Sequence, residues 1–94
     1  MAVYLVGHIS VKNYELWQQY VAGVQESLTH FDSKVLFRGQ LVEVLTGLHD
    51  YDTVVVIEFA DQATMDQWYR SKHYQALIPI RDKAADVSIM SYTA

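Results

Sequence analysis

The sequence contains no cysteine, and this absence excludes several kinds of chemistry. Without a thiol, the chain of 94 residues forms no disulfide, carries no thiolate nucleophile and has no cysteine-ligated zinc site. Glycine is sparse too, and its four copies stand singly, so there is no glycine-rich phosphate loop and no G-x-S-x-G element. We therefore expect neither an ATP or dinucleotide enzyme nor a serine hydrolase of that type.

Basic runs and long apolar runs are also absent. The formal net charge is −4, so the chain offers no electrostatic footprint for a polyanion, and we expect no nucleic-acid partner. No apolar stretch approaches the ~20 residues that a membrane-spanning helix needs. The beginning MAVYLVGHISVKNYE does not resemble a secretion signal, so we expect a cytoplasmic protein without membrane contact.

Large apolar side chains, in contrast, are abundant. Apolar residues make up 51% of the sequence and aromatic residues 13%. A chain of this length forms one domain, residues 1–94, with one thin core that cannot hide so many large side chains. We therefore expect some rings to lie in a pocket or in the interface of a homodimer.

Hydrophobic periodicity predicts four strands separated by helical regions. An alternating pattern of period two predicts strands, and an i, i+3, i+4, i+7 stripe predicts a helix. The strands are expected over 2–9, within 34–47, over 53–60 and over 87–92, and the helical regions over 14–29, 61–70, 71–77 and from Pro79 to about Ala85. Asn13, Asp61 and Ser71 are placed to cap helices, because their side-chain oxygens accept bonds from first-turn N–H groups.

The order of these elements indicates an α+β fold. It is the β-α-β-β-α-β order of a ferredoxin-like sandwich, with a four-stranded antiparallel sheet and helices on one face. The second and third strands should form a hairpin, and Gly39 is expected to mark a bulge or bend in the second strand. Because the strands carry apolar residues on both sides, we expect the open face to meet its counterpart in a second copy across a two-fold axis.

Glu58 is the leading candidate for a functional residue, because it interrupts the apolar run of the third strand. By alternation, Tyr4, His8 and Arg38 could converge with it on one sheet face, and Tyr92 could join them. In one interpretation Glu58 or His8 is a general base, Arg38 or Arg81 binds an anionic group, and tyrosine hydroxyls orient a carbonyl or phenol. In the other, Glu58 and Arg38 form a structural ion pair.

A second candidate cluster follows the second helix. There the sequence gathers Trp68, Tyr69, Ser71, Tyr74 and Arg81 around a broken helix. This cluster could bind a carboxylate or phosphate through Arg81. Alternatively, Trp68 and Tyr74 fill the core while Arg81 pairs with an acid such as Asp82 or Asp61.

The four histidines give no metal-ligand spacing, so we expect no metal and no cofactor. Metal or haem binding through His8 or His73 is the last-ranked alternative.

The segment VVVIEFADQATMDQWYRSKHYQALIPIRDKAAD resembles the signature half of a bacterial family known as domain of unknown function 1330. The matching positions are Glu58, Phe59, Trp68, Tyr69, Ser71, Tyr74, Gln75, Pro79 and Arg81, and Asn13, Tyr20, Arg38 and Gly39 fit the first half. The resemblance covers about Val3 to Tyr92. Residues 31–33, Phe-Asp-Ser, depart from the paired glycine and aromatic residue that the family often has before the second strand.

The resemblance implies a dimeric ferredoxin-like fold, also called a dimeric α/β barrel, but no particular reaction. The wider superfamily includes cofactor-independent monooxygenases and isomerases, which by analogy implies a pocket for a small organic or anionic molecule. The candidate catalytic residues are then Glu58, His8 and Tyr69. The candidate ligand-binding residues are Tyr4, Arg38, Trp68, Ser71, Tyr74 and Arg81. The alternative is a non-enzymatic interaction or structural dimer module with no pocket.

Overall fold

Four strands and four helices account for most of the chain in a computed structural model that describes residues 1–94. The strands are β1 (Val3–Val11), β2 (Ser33–Gln40), β3 (Thr53–Phe59) and β4 (Ala85–Thr93), and the helices are α1 (Tyr14–Leu28), α2 (Gln62–Arg70), α3 (Lys72–Gln75) and α4 (Ile78–Ala84). None of the helices is long and apolar enough to cross a membrane.

Local side-chain chemistry sets the beginnings of three helices as expected. Asn13 Oδ1 accepts a bond from Leu16 N at 3.1 Å, and Asp61 Oδ1 accepts one from Thr64 N at 2.7 Å. Ser71 Oγ caps α3 by accepting from Tyr74 N at 3.2 Å. Each bond satisfies an N–H that has no partner inside its own helix, so the caps fix where the helices begin.

The sheet has the order β2-β3-β1-β4, with every neighbouring pair antiparallel. Along β1, Val3, Leu5 and Ile9 are buried under the helices, and the intervening side chains point to the opposite face. We call these the helix side and the open face of the sheet. This arrangement confirms the predicted ferredoxin-like α+β fold.

A β-bulge in β2 lies at Leu36 and not at Gly39, where the sequence pattern predicts it. Val35 is opposite Ile57 and Phe37 is opposite Val56, so Leu36 is the extra residue. A bulge inserts one residue into one strand and reverses the alternation beyond it. Arg38 therefore pairs with Val55 on the helix side rather than joining Glu58 on the open face.

The second strand also ends earlier than its sequence pattern suggests. Gln40 is opposite Thr53, the first residue of β3, so the chain beyond Gln40 has no strand to pair with. Leu41 N donates to Asp52 O at 2.7 Å and closes the connection formed by residues 41–52. This connection leaves several apolar side chains exposed: Leu41, Val42, Val44, Leu45 and Leu48.

The core lies between the helices and the helix side of the sheet. Its largest fully buried side chains are Phe59, Trp68 and Tyr74. Trp68 Nε1 donates to Ser27 Oγ at 2.9 Å, and Ser27 Oγ donates to Val24 O at 2.7 Å, so a buried polar chain joins α2 to α1. Both polar groups are thereby satisfied, which removes the cost of burying them.

Candidate functional site

A small cavity lies between α1 and the helix side of the sheet. Its volume is about 30 Å³, and twelve of its fourteen lining residues are hydrophobic. A more open groove of about 460 Å³ adjoins it, since both share Ile9, Trp17, Val21, Arg38 and Val55 in their walls. The enclosed part has room for roughly two water molecules, so it can hold a small group of a larger molecule that extends into the groove.

Gly7 creates space in the floor of this cavity. It stands at the centre of β1, opposite Val55 on one side and Ile89 on the other, where alternation would otherwise place a core side chain. A Cβ atom at this position would lie 3.0 Å from Val55 Cγ1. Glycine weakens a strand interior and often marks the close approach of a ligand or of another backbone.

Arg38 brings a positive charge to the same walls. The chain forms two ion pairs, Lys12 with Asp86 and Arg81 with Asp82, and neither includes Arg38. Although the residue is exposed as a whole, partial burial of its guanidinium lowers its pKa, while nearby Tyr20 acts in the opposite direction. A cation without a protein counter-ion beside an apolar cavity is suited to bind the acidic group of a ligand.

A chain of hydrogen bonds ends at the wall of the cavity. Arg81 Nη1 donates to Tyr74 Oη at 3.0 Å, and Tyr74 Oη lies 2.9 Å from Tyr20 Oη. Burial, followed by the influence of Tyr74, raises the pKa of Tyr20 well above its ordinary value of 10.0. Burial acts to lower the pKa of Arg81, but its bonds with Tyr74, Tyr69 and Asp82 outweigh this effect and raise it.

Aromatic rings form much of the remaining wall. The ring centroids of Trp68 and Tyr74 are 4.4 Å apart, and those of Trp17 and Tyr20 are 5.0 Å apart. All four side chains line the cavity. No Asp, Glu or His is among the lining residues, so the cavity can bind an apolar molecule and donate hydrogen bonds, but it holds no carboxylate or imidazole base.

Glu58 lies on the opposite, open face of the sheet. Its direct neighbours across the strands are Tyr4 on β1 and Lys34 on β2. A hydrogen bond with Glu58 and the charge of that carboxylate raise the pKa of Tyr4. Tyr92 is opposite Tyr4 on β4, so Tyr4, Glu58 and Tyr92 do share a face, as the alternation predicts.

His8 lies further along the open face, against the connection formed by residues 41–52. Its ring is 4.9 Å from that of His49 and 6.2 Å from that of Tyr51, and its Nδ1 atom is buried without a hydrogen-bond partner. His73 stacks on His30 at 5.6 Å, far along the chain from His8. No three Asp, Glu or His side chains come close enough together to hold a metal ion.

The sequence model of the family described as Domain of unknown function (DUF1330) matches residues 2–93. The chain belongs to this family. The match covers nearly all of the domain, which confirms the resemblance inferred from the motifs around Glu58, Trp68 and Arg81. No curated protein matches the sequence of this DUF1330 protein.

Solved structures similar to this DUF1330 protein share its fold at low sequence identity. A protein of unknown function from Rhodopseudomonas palustris superposes with a TM-score of 0.86 at 16% identity, over 99% of this chain and 82% of that chain. SnoaB, a cofactor-independent oxygenase from Streptomyces nogalater, gives 0.73 at 12% identity, over 99% and 92% of the two chains. A dimeric ferredoxin-like protein of unknown function from Thermobifida fusca gives 0.70 at 12% identity, over 100% and 92%.

The predicted site residues fall into two groups on opposite faces of the DUF1330 sheet. Tyr4, His8 and Glu58 are on the open face. The others are on the helix side: Arg38, Trp68, Tyr69, Ser71, Tyr74 and Arg81. The expected convergence of Arg38 with Glu58 is therefore wrong, and so is their structural pairing, because the bulge at Leu36 turns Arg38 away.

Contacts within the second group match the structural interpretation. Trp68 and Tyr74 are buried in the core, and Arg81 Nε donates to Asp82 Oδ1 at 3.1 Å, as that interpretation expects. Ser71 caps α3 and donates from Oγ to Trp68 O at 2.7 Å. Trp68 and Tyr74 also face the cavity. These two core side chains therefore also form part of the cavity wall.

Sequence reasoning missed Gly7, Trp17 and Tyr20 as members of the site. Gly7 left a signal, because it interrupts the apolar alternation of Val3, Leu5 and Ile9 in a strand that is otherwise continuous. Trp17 and Tyr20 belong to the apolar stripe of α1, but such a stripe does not show that a cavity lies beneath them.

Proposed function

We propose that this protein binds a small organic anion, mainly apolar, in the cavity and groove between α1 and the helix side of the sheet. The observation that supports this most directly is the position of Arg38, a cation without a protein counter-ion that lines both the groove and the mainly hydrophobic cavity. The aromatic side chains would surround the body of the ligand and Arg38 would bind its acidic group.

The proposal includes a homodimer formed through the open face. No helix covers this face, and it carries apolar side chains on all four strands: Val6, Phe37, Val54, Val56, Met90 and Tyr92. A sheet face of this kind is the usual site of association with another copy. The dimeric relative from Thermobifida fusca has the same fold, which supports the choice of partner.

Cofactor-independent chemistry is a second candidate, supported by the likeness in fold to the oxygenase SnoaB. Because the cavity holds no carboxylate or imidazole, a proton transfer there would depend on the ligand itself or on Tyr20. Glu58 and His8 stay predicted catalytic residues for the open face, and Tyr69 stays one for the helix side.

Titration with phenylacetate and its neutral amide, phenylacetamide, tests the binding site. Arg38→Gln should weaken binding of phenylacetate about tenfold or more and leave binding of phenylacetamide nearly unchanged, because only the anion gains a charge-assisted hydrogen bond. Isothermal calorimetry measures both affinities. The two tryptophans, Trp17 and Trp68, both line the cavity, so their fluorescence excited at 295 nm gives an independent signal.

Arg70→Gln is the matched control, since Arg70 is exposed in the last turn of α2 and does not line the cavity. It should bind phenylacetate as the wild type does. If neither compound binds the wild type, or if Arg70→Gln and Arg38→Gln have the same effect, the ligand site is wrong and the interaction-module alternative becomes the better account.

A further inference from the structure

The hydroxyl of Tyr20, in the wall of the cavity, stands at the end of a chain of hydrogen bonds that begins at a cation. The chain runs from Arg81 through Tyr74 to Tyr20. Arginine can only donate hydrogen bonds, so the oxygen of Tyr74 accepts from Arg81 and its own hydrogen needs another acceptor. The oxygen of Tyr20, 2.9 Å away, is the acceptor within reach.

The burial of the two tyrosines fixes the direction of their bond. Tyr74 has no exposed surface, so leaving its hydrogen unpaired would carry the full cost of a buried unsatisfied donor. Tyr20 is 8% exposed and lines the cavity. The arrangement with the lower cost has Tyr74 donating to Tyr20, which leaves the hydroxyl hydrogen of Tyr20 free to point into the cavity.

We propose that the Tyr20 hydroxyl donates a hydrogen bond to a carbonyl oxygen of the bound molecule, and that the ligand class is therefore organic anions that also carry a ketone. This inference rests on the proposed ligand site and names its substrate class. Arg38 takes the acidic group, and the enclosed cavity, with its volume of about 30 Å³, takes the carbonyl group.

Two properties of the chain make Tyr20 an effective donor. The charge of Arg81 polarises both hydroxyls in the same sense, and hydrogen bonds in such a chain strengthen one another. Burial raises the pKa of Tyr20, so the hydroxyl keeps its proton throughout the physiological range. Apart from Arg38, which takes the acidic group, the other residues that line the cavity are glycine or hydrophobic, so the carbonyl oxygen is left to Tyr20.

The test compares 4-oxo-4-phenylbutanoate with 4-phenylbutanoate, which differ only in the ketone. The wild type should bind the keto acid about three- to tenfold more tightly, and Tyr20→Phe should reduce this ratio to near one without weakening the binding of 4-phenylbutanoate. The ketone-free probe is the internal control, because its binding shows that the variant still has an intact site.

Infrared spectroscopy of the bound keto acid gives a readout that a purely structural role would not change. A hydrogen bond from Tyr20 should lower the carbonyl stretching frequency in the wild type, and Tyr20→Phe should restore the higher value. Tyr74→Phe, which keeps the ring but breaks the chain to Arg81, should give an intermediate frequency.

The outcomes separate this inference from the proposed function. Equal affinity of both probes for the wild type, or a carbonyl band that Tyr20→Phe leaves in place, would overturn the role of Tyr20 while the ligand site stands. Failure of both probes to bind the wild type would overturn the ligand site and this inference together.

Discussion

Gly7 is the residue on which the size of the cavity depends most directly. Gly7→Ala would add a Cβ atom 3.0 Å from Val55 Cγ1 and fill part of the floor. The added methyl group takes space that the ligand would occupy, so we expect the affinity for phenylacetate to fall about fivefold, which corresponds to about 1 kcal/mol of binding free energy. Calorimetric titration of the variant measures this change.

Gly39→Ala is the matched control for Gly7→Ala. Gly39 is also a strand glycine, but a Cβ there would lie 3.8 Å or more from its neighbours, and it faces away from the cavity. It should leave the affinity for phenylacetate unchanged. Equal losses in the two variants would show that Gly7 acts through the strand and not through the cavity.

Tyr20 should make the folded protein sensitive to high pH. Its pKa is raised in the folded state, so the unfolded chain releases this proton near pH 10 while the folded chain retains it. The resulting stability is complete below pH 10 and declines above it, by up to about 1.4 kcal/mol per pH unit. Urea denaturation between pH 8 and pH 11 should show a shallower decline in Tyr20→Phe than in the wild type.

The same series with Tyr14→Phe provides the comparison, because Tyr14 is an exposed tyrosine of the same helix. If the two substitutions change the alkaline profile equally, the raised pKa of the buried Tyr20 hydroxyl is not the cause of the pH dependence.

Single-residue roles that depend on local chemistry could be predicted, and those that depend on distant packing could not. The caps Asn13, Asp61 and Ser71 follow from side-chain oxygens beside first-turn N–H groups, all within three residues. The bond between Tyr20 and Tyr74 joins residues 54 positions apart, and no spacing in the sequence indicates it.

At the scale of the elements, one extra residue in β2 decides which face carries the candidate cation. Regular alternation over the whole strand places Arg38 on the same face as Glu58, whereas the bulge at Leu36 places it opposite Val55 on the helix side. The sequence shows an irregular strand, but any of several positions around Gly39 could hold the bulge. Its position depends on the register with β3, which the sequence of β2 does not contain.

Close contact between α1 and the junction of α3 and α4 yields a stability prediction. A Cβ atom at Gly23 would lie 2.5 Å from Leu77 Cδ2. Overpacking costs about 1–3 kcal/mol and alanine returns about 1 kcal/mol of helix propensity. We therefore expect Gly23→Ala to lower the free energy of unfolding by up to about 2 kcal/mol, as measured by urea denaturation.

A double-mutant cycle isolates this contact. In a Leu77→Ala background the steric conflict is absent, so Gly23→Ala should become neutral or stabilising. If Gly23→Ala lowers the free energy of unfolding by the same amount in both backgrounds, the contact with Leu77 is not the cause of the destabilisation.

At the scale of the whole molecule, the fold was predictable because independent signals agree. The order of periodic segments, the caps and the break at Pro79 all lead to a β-α-β-β-α-β sandwich. The face of the sheet that carries the cavity was not predictable, because alternation defines two faces without showing which one the helices cover.

The open face supports a prediction about assembly. Phe37 is 54% exposed on this face. Phe37→Asp would introduce a charge into the proposed dimer interface, where an unpaired charge is costly to bury, so we expect the variant to be monomeric. Sedimentation equilibrium measures the mass, and Gln67→Asp, at an exposed position of α2, should remain dimeric. A monomeric wild type, or a dimeric Phe37→Asp, would contradict an interface at this face.

The central claim is that the ligand binds between α1 and the helix side of the sheet. A crystal structure of the protein in complex with phenylacetate tests it most directly. We predict electron density for the carboxylate beside Arg38 and for the ring against Trp17, with Gly7 at the floor of the adjoining cavity. Density on the open face beside Glu58, with the space under α1 closed or empty, would contradict this account and return the function to the residues around Glu58 and His8.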